Sequence, residues 1–374
     1  MKVGIITQPL RNNYGGLLQN YALQQVLKKL GHEVITLDQK EPPVPQLRII
    51  ASYIKTFILK VLGKGAGRRY AFHKEIAYIR KHTRYFVDKY INHTPAMYKT
   101  EDFRSFCISN NIDVLIAGSD QVWRPRYNYN IYRSFFDFAA GLDIKRYAYS
   151  ASFGVDCWEF TEEQTLKCKE LLQQFEAISV RERSGADLCE KYFNRKAEHV
   201  LDPTMLLDKE DYEYLVNKEK EPVSPGNLFT YILDESEEKA VIIGKVAKLL
   251  KLKPFTAMPK HRINGETVKQ IENCVYPPVT RWLRAFMDAE FVICDSFHGA
   301  VFSIIFNKPF WVIGNKERGL ARFESLLSLY GLQERLINSD CMPIDFKAPI
   351  DWSHVNAIKK EWQEKSMNFL KTNL

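Results

Sequence analysis

The chain has 374 residues, 45% of them hydrophobic and 13% aromatic, and a formal net charge of +8. Its apolar content excludes a disordered chain, and its length exceeds one ordinary core and suits two domains. Eleven Lys and Arg stand against only Glu75 and Asp88 between Arg48 and His93, so one segment carries the whole excess and the near-neutral remainder excludes a protein built around nucleic acid.

The N-terminal stretch runs strand, glycine turn, helix, strand. KVGIIT is the strand, and its apolar run stops at Gln8 and Pro9. That is too short for a secretory signal, and no stretch approaches the roughly 20 apolar residues of a membrane span. A cytoplasmic location is therefore expected. NNYGG is the turn, LLQNYALQQVLKKLG predicts an amphipathic helix ending at Gly31, and HEVITLD is the next strand. EPPVPQ breaks the pattern. In the basic segment beyond it, Ile50, Tyr53, Ile54, Phe57, Ile58, Val61 and Leu62 recur at helical spacing, with Lys55, Lys60 and Lys64 off that stripe.

IDVLIAGSDQVW then reads as a strand ending in a polar turn, and RYAYSASFG as another strand. TEEQTLKCKELLQQFEA is a helix, AISVRERS a strand and turn, GADLCEKYF a helix and AEHVLDPTMLL a strand leading out. The charged run DKEDYEYLVNKEKEPVSPG marks a boundary. Beyond it NLFTYILD, EEKAVIIGKVAKLLKL, PFTAM, PPVTRWLRAFMDAE, FVICDS, FHGAVFSIIFN, KPFWVIG and RGLARFESLLSLYG alternate strand and helix. DWSHVNAIKKEWQEKSMNFLKTNL is one more helix.

This alternation predicts an α/β protein of two Rossmann-like parallel-sheet domains facing across a cleft, a GT-B-like architecture. The expected domains are 1–207, with a basic helical insert over about 46–93, and 208–350. The helix 351–374 is free to pack back on the first domain. The seven cysteines are scattered, odd in number and never spaced C-x-x-C. They read as reduced thiols, with no structural metal expected.

Ligands of open α/β sheets sit beyond the carboxyl ends of the strands. That rule selects four turns. In the first, Asn13, Tyr14, Gly15 and Gly16 bring backbone close to a ligand, or simply supply a glycine turn; the full G-x-G-x-x-G is absent. In GSDQVW, Ser119 and Asp120 suit sugar hydroxyls and Trp123 a sugar face, or the stretch is an Asx turn with Trp123 in the core. Arg181 follows an apolar run at the sheet edge, placed for a carboxylate or phosphate, or for pairing with Glu182 or another acid.

The fourth turn joins FVIC to an oily helix and carries Asp295, Ser296, His298 and Gly299. Ser296 suits the N-cap, and His298 sits in the first helical turn, where free N–H groups attract anions and an imidazole can act as acid or base. On spacing alone, a lone histidine is more often structural. Lys316, Arg318 and Arg322, around Gly319, begin the next helix on the same edge.

Taken in order, NNYGGLLQNYAL, LIAGSDQVW, YSASFG, SVRERSG, LDPTMLL and DSFHGAVFSIIFNKPF resemble the polysaccharide pyruvyl transferase family, over roughly Lys2 to Arg335. The resemblance implies phosphoenolpyruvate as co-substrate, no other cofactor and no obligatory metal. It implies formation of a pyruvate ketal across two hydroxyls of a hexose, in a surface polysaccharide or its lipid-linked precursor. On that model His298 is the acid/base and Arg181 holds the donor's charge. Ser296, Gly299, Lys316, Arg318 and Arg322 stand on the donor side. Asn13 to Gly16 and Ser119, Asp120 and Trp123 face the acceptor. The basic helix then either rests on the anionic inner leaflet near a lipid-linked acceptor or packs its stripe on its own domain. A nucleotide-sugar glycosyltransferase and a non-catalytic glycan- or nucleotide-binding protein of the same fold remain alternatives.

Overall fold

The structure, a computed structural model, describes residues 1–64, 70–261, 267–314, 319–337 and 348–374. In chain order the strands are β1 (Lys2–Ile6), β2 (Glu33–Thr36), β3 (Val114–Ala117), β4 (Lys145–Ala151), β5 (Ala177–Val180), β6 (Glu198–His199), β7 (Leu228–Tyr231), β8 (Pro254–Phe255), β9 (Phe291–Cys294), β10 (Phe310–Ile313) and β11 (Leu336–Ile337). The helices are α1 (Tyr14–Lys29), α2 (Gln46–Val61), α3 (His73–Ile79), α4 (Lys81–Tyr90), α5 (Thr100–Ser109), α6 (Glu162–Leu172) and α7 (Arg183–Leu188) in the first half. The second half adds α8 (Lys209–Lys218), α9 (Glu237–Leu250), α10 (Val279–Asp288), α11 (Phe297–Ile305), α12 (Ala321–Leu329) and α13 (Trp352–Asn373).

The strands form two wholly parallel sheets, ordered β2-β1-β3-β4-β5-β6 and β11-β10-β9-β7-β8. Parallel sheets are covered on both faces, so their strands read as continuous apolar runs. VLIA of β3, FVIC of β9 and FWVI of β10 are buried at every position. The two-domain α/β reading thus stands.

The two halves share a core. Tyr14, in the first turn of α1, is buried and reaches into the second domain, where its hydroxyl meets the carbonyls of Ala257 and Pro277 at 3.1 and 2.9 Å. Its ring packs against Tyr231, Tyr276 and Trp282. The last helix, α13, returns to the first sheet: Ser366 Oγ accepts from the Leu201 amide at 3.0 Å, and Phe369 packs on Tyr149.

The basic insert forms α2, α3 and α4. Only the inward face of α2 is engaged, through Ile49 and Thr56. Tyr53 packs on Phe72, and Ser52 Oγ accepts from the Tyr70 amide at 3.3 Å.

Candidate active site

The carboxyl edges of both sheets meet at one cleft of about 300 Å³. Asn12, Asn13, Asp120 and Gln121 line it from the first domain. From the second come Tyr231, Leu233, Met258, Tyr276 and Arg322, with Asp295, Ser296, Phe297 and His298 from the turn after β9.

Buried beside the cleft is Asp202, in the turn after β6. Oδ1 accepts from the amide and hydroxyl of Thr204, at 3.0 and 2.7 Å. Oδ2 accepts from Ser119 Oγ at 2.9 Å and from Arg181 Nη1 at 3.0 Å, and His298 Nε2 stands 3.5 Å away from it. The last pair is an ion-pair contact rather than an aligned hydrogen bond, and His298 Nε2 has no hydrogen-bond partner among the described residues. Burial pushes the Asp202 pKa up, but the charges of His298 and Arg181 outweigh it and hold the carboxyl well below the usual carboxylate range.

His298 belongs to the second domain, Arg181 and Asp202 to the first. The structure therefore brings the two expected catalytic residues to a single oxygen. It also places Asp202 between them, a residue that the sequence reading left without a role. Its signal was present: an acid directly after an apolar run, on the same sheet edge as Arg181.

The helix bearing His298 fits because residue 15 has no side chain. A Cβ on Gly15 would lie 2.6 Å from His298 Cβ and nearer still to Nδ1 and Cγ. Gly319 has φ +86°, and a Cβ there would lie 2.9 Å from Val155 Cγ1, so it too is a point of close approach between the halves. Gly299 packs on Cys294 at the end of β9, where a Cβ would come within 2.6 Å of the cysteine Cβ, so its lack of a side chain serves helix–strand packing.

Arg181 does not line the cleft, contrary to the expectation that it holds the donor directly. Nη1 is on Asp202, Nη2 donates to Ser152 Oγ at 3.1 Å, and the guanidinium lies 4.2 Å over the Phe297 ring. Glu182 is farther, at 3.9 Å, and accepts instead from Ser152 Oγ and the amides of Phe153 and Gly154. Among the described residues the cation that lines the cleft is Arg322, its Cζ 5.8 Å from the same Phe297 ring. Burial, then the charge of Arg181, brings the Arg322 guanidinium down to about 10.

Other expectations need correcting. Trp123 is fully buried; it stacks on Phe135 at 5.0 Å and its Nε1 donates to the Ser134 carbonyl, so it is core and offers no face to a sugar. Tyr14 is the inter-domain anchor already described, and Ser119 is fully buried beneath Asp202. Ser296 occupies the N-cap position of α11 without a side-chain cap, leaving its hydroxyl on the cleft wall. Lys316 and Arg318 lie outside the described residues.

Asn13 Nδ2 donates to Asp120 Oδ2 at 2.9 Å, and Asp120 adopts φ +67°, a left-handed conformation that aspartate tolerates. Gly16 leaves room for that pair: a Cβ there would stand 3.0 Å from Asn13 Nδ2. Asp295, on the cleft wall, also ties down the loop after β7. Its oxygens accept from the amides of Leu233 and Asp234 at 2.6 and 3.0 Å and from Lys239 Nζ at 2.7 Å. Among the described residues no His, Cys, Asp and Glu group is arranged to hold a metal ion, and no helix is long and apolar enough to cross a membrane.

The fold and the cleft define a two-domain protein of the GT-B class. Arabidopsis thaliana UGT89C1 complexed with UDP-L-rhamnose superposes with a TM-score of 0.55 at 7% identity, covering 98% of each chain. Acinetobacter baumannii MurG gives a TM-score of 0.45 at 10% identity, over 99% of this chain and 97% of its own. No curated protein matches the chain in sequence. The family model of polysaccharide pyruvyl transferase matches residues 13–317, most of the chain, and the chain belongs to that family.

Proposed function

We propose that the protein transfers pyruvate from phosphoenolpyruvate to two hydroxyls of a hexose, in a surface polysaccharide or its lipid-linked precursor, with release of phosphate. One observation carries the reading: His298, on the wall of a cleft that Arg322 also lines, stands 3.5 Å from Asp202 of the other domain. That supplies a proton donor and a cation within one small cavity. A volume of about 300 Å³ lies at the bottom of the range for small-molecule sites and suits a three-carbon phosphate better than a nucleotide sugar.

In this mechanism His298, standing 3.5 Å from the Asp202 carboxylate, protonates C3 of phosphoenolpyruvate and leaves C2 electrophilic. A sugar hydroxyl attacks C2 and gives its proton to the imidazole, which is thereby restored. The C2–O bond to phosphate then breaks, the second hydroxyl closes the ring, and its proton leaves with the phosphate. Arg322 and the free amides at the start of α11 hold the donor's charge. Arg181 acts behind them, fixing Asp202 and adding its field. Asn13 and Asp120 face the acceptor hydroxyls.

The test is thermal stability with phosphoenolpyruvate, nucleotide sugars and free nucleotides added separately. A ligand at 100 times its dissociation constant stabilises the native state by about 2.7 kcal/mol. A shift with phosphoenolpyruvate alone, lost in Arg322→Ala, is the expected result. A shift with nucleotides alone points to the glycosyltransferase reading and overturns this one.

A further inference from the structure

The helix α2 turns its apolar stripe to solvent. Leu47, Phe57 and Val61 are 81%, 70% and 70% exposed, and Ile50, Ile54 and Ile58 are about half exposed on the same side. A stripe packed on its own domain would be covered; here the opposite face, Ile49 and Thr56, makes that contact. Arg48, Lys55 and Lys60 flank the stripe and are exposed, and no acid occurs between Glu41 and Glu75. An exposed apolar face flanked by cations alone is the pattern of a helix lying in an interface plane.

A cavity of about 960 Å³ lies beside the chain that leads into this helix, lined by Pro42, Pro43 and Val44 and by Arg11, Arg80 and Arg84. Arg11 and Arg84 are paired with Glu41 and Asp88, whereas Arg80 Nε is buried with no hydrogen-bond partner among the described residues. The cavity and the active cleft flank one loop: Leu10 and Arg11 line the first, Asn12 and Asn13 the second.

We infer that α2 is a docking helix that lays its apolar face into an anionic lipid bilayer, with the flanking Arg48, Lys55 and Lys60 on the headgroups. Charge decides the occupant. A second copy of the chain would oppose the same three cations across the contact, whereas an anionic bilayer neutralises them. Docking this way holds the active cleft beside the membrane surface, and the inference does not depend on the identity of the donor.

The experiment is co-sedimentation of the full chain with vesicles of phosphatidylcholine alone or mixed with phosphatidylglycerol, at low and high salt. Wild type is expected on the mixed vesicles only, with binding that weakens in salt. Ile54→Glu/Phe57→Glu and Lys55→Glu/Lys60→Glu are each expected to lower partitioning by about tenfold or more. These side chains are exposed, so unchanged melting temperatures confirm intact folding. Failure to bind the mixed vesicles, equal binding by the Glu variants, or a dimer in solution abolished by Ile54→Glu/Phe57→Glu overturns the inference. None of these readings uses phosphoenolpyruvate, so the docking helix and the proposed reaction fail separately.

Discussion

His298 lies directly against Gly15, a contact between the two domains that only a residue without a Cβ allows. The NNYGG turn and the DSFHG turn, far apart in sequence, are therefore one structural device. Glycine at 15 serves the placement of the imidazole rather than a positive φ.

Gly15→Ala should displace His298 from Asp202. The cost in stability is expected at about 1–3 kcal/mol, as for other overpacked sites, while turnover falls by far more than the melting temperature suggests. Parallel measurement of kcat and thermal unfolding checks this, and full activity in a folded variant would deny the contact its role.

Asp202→Asn removes the charge that offsets Arg181 and His298 in a buried setting. Breaking a buried pair at one partner costs about 3–5 kcal/mol, so the variant should unfold at markedly lower denaturant. Because its native pKa is depressed, the stability Asp202 contributes is present above its unfolded pKa and is lost as pH falls through the native value. Acid unfolding should therefore shift less steeply in Asp202→Asn than in wild type.

His199 gives a second pH signature. Its Nε2 lies 3.0 Å from the Arg181 carbonyl and its ring packs edge-on against Trp362 of α13. Burial lowers its pKa to about 4. The unfolded chain takes up this proton near pH 6.5 and the native one only near 4, so stability should fall with pH across that window, by at most about 1.4 kcal/mol per unit. His199→Gln should flatten that slope; an unchanged slope would place the proton elsewhere.

Trp123→Phe should keep acceptor KM unchanged, because the indole has no surface in the cleft. Trp123→Ala should cost about 3–5 kcal/mol through the cavity left in the core. A rise in acceptor KM without loss of stability would restore the sugar-stacking role. Calorimetry and steady-state kinetics on the same preparations separate the two.

Much of the fold is written locally. Apolar runs such as VLIA and FVIC, each closed by a polar turn and followed by a helix, specify parallel strands without reference to the rest of the chain, because burial on both faces demands continuous apolar sequence. The same logic placed Asp120, Arg181 and His298 at strand ends, since position along a strand sets which edge a residue reaches. Sequence alone also showed the basic, acid-poor segment and its apolar stripe. Tertiary structure decided what each polar residue meets. Trp123 and Ser119 lie in the turn that also carries Asp120, yet of these three Asp120 alone reaches the cleft, because side-chain direction at a turn depends on backbone angles that composition does not fix. Arg181 turned inward because Asp202 offered a buried carboxylate, a partner 21 residues away. The approach of His298 to Gly15 and Asp202 exists only once the two domains are docked, since no local periodicity encodes a contact between separate sheets.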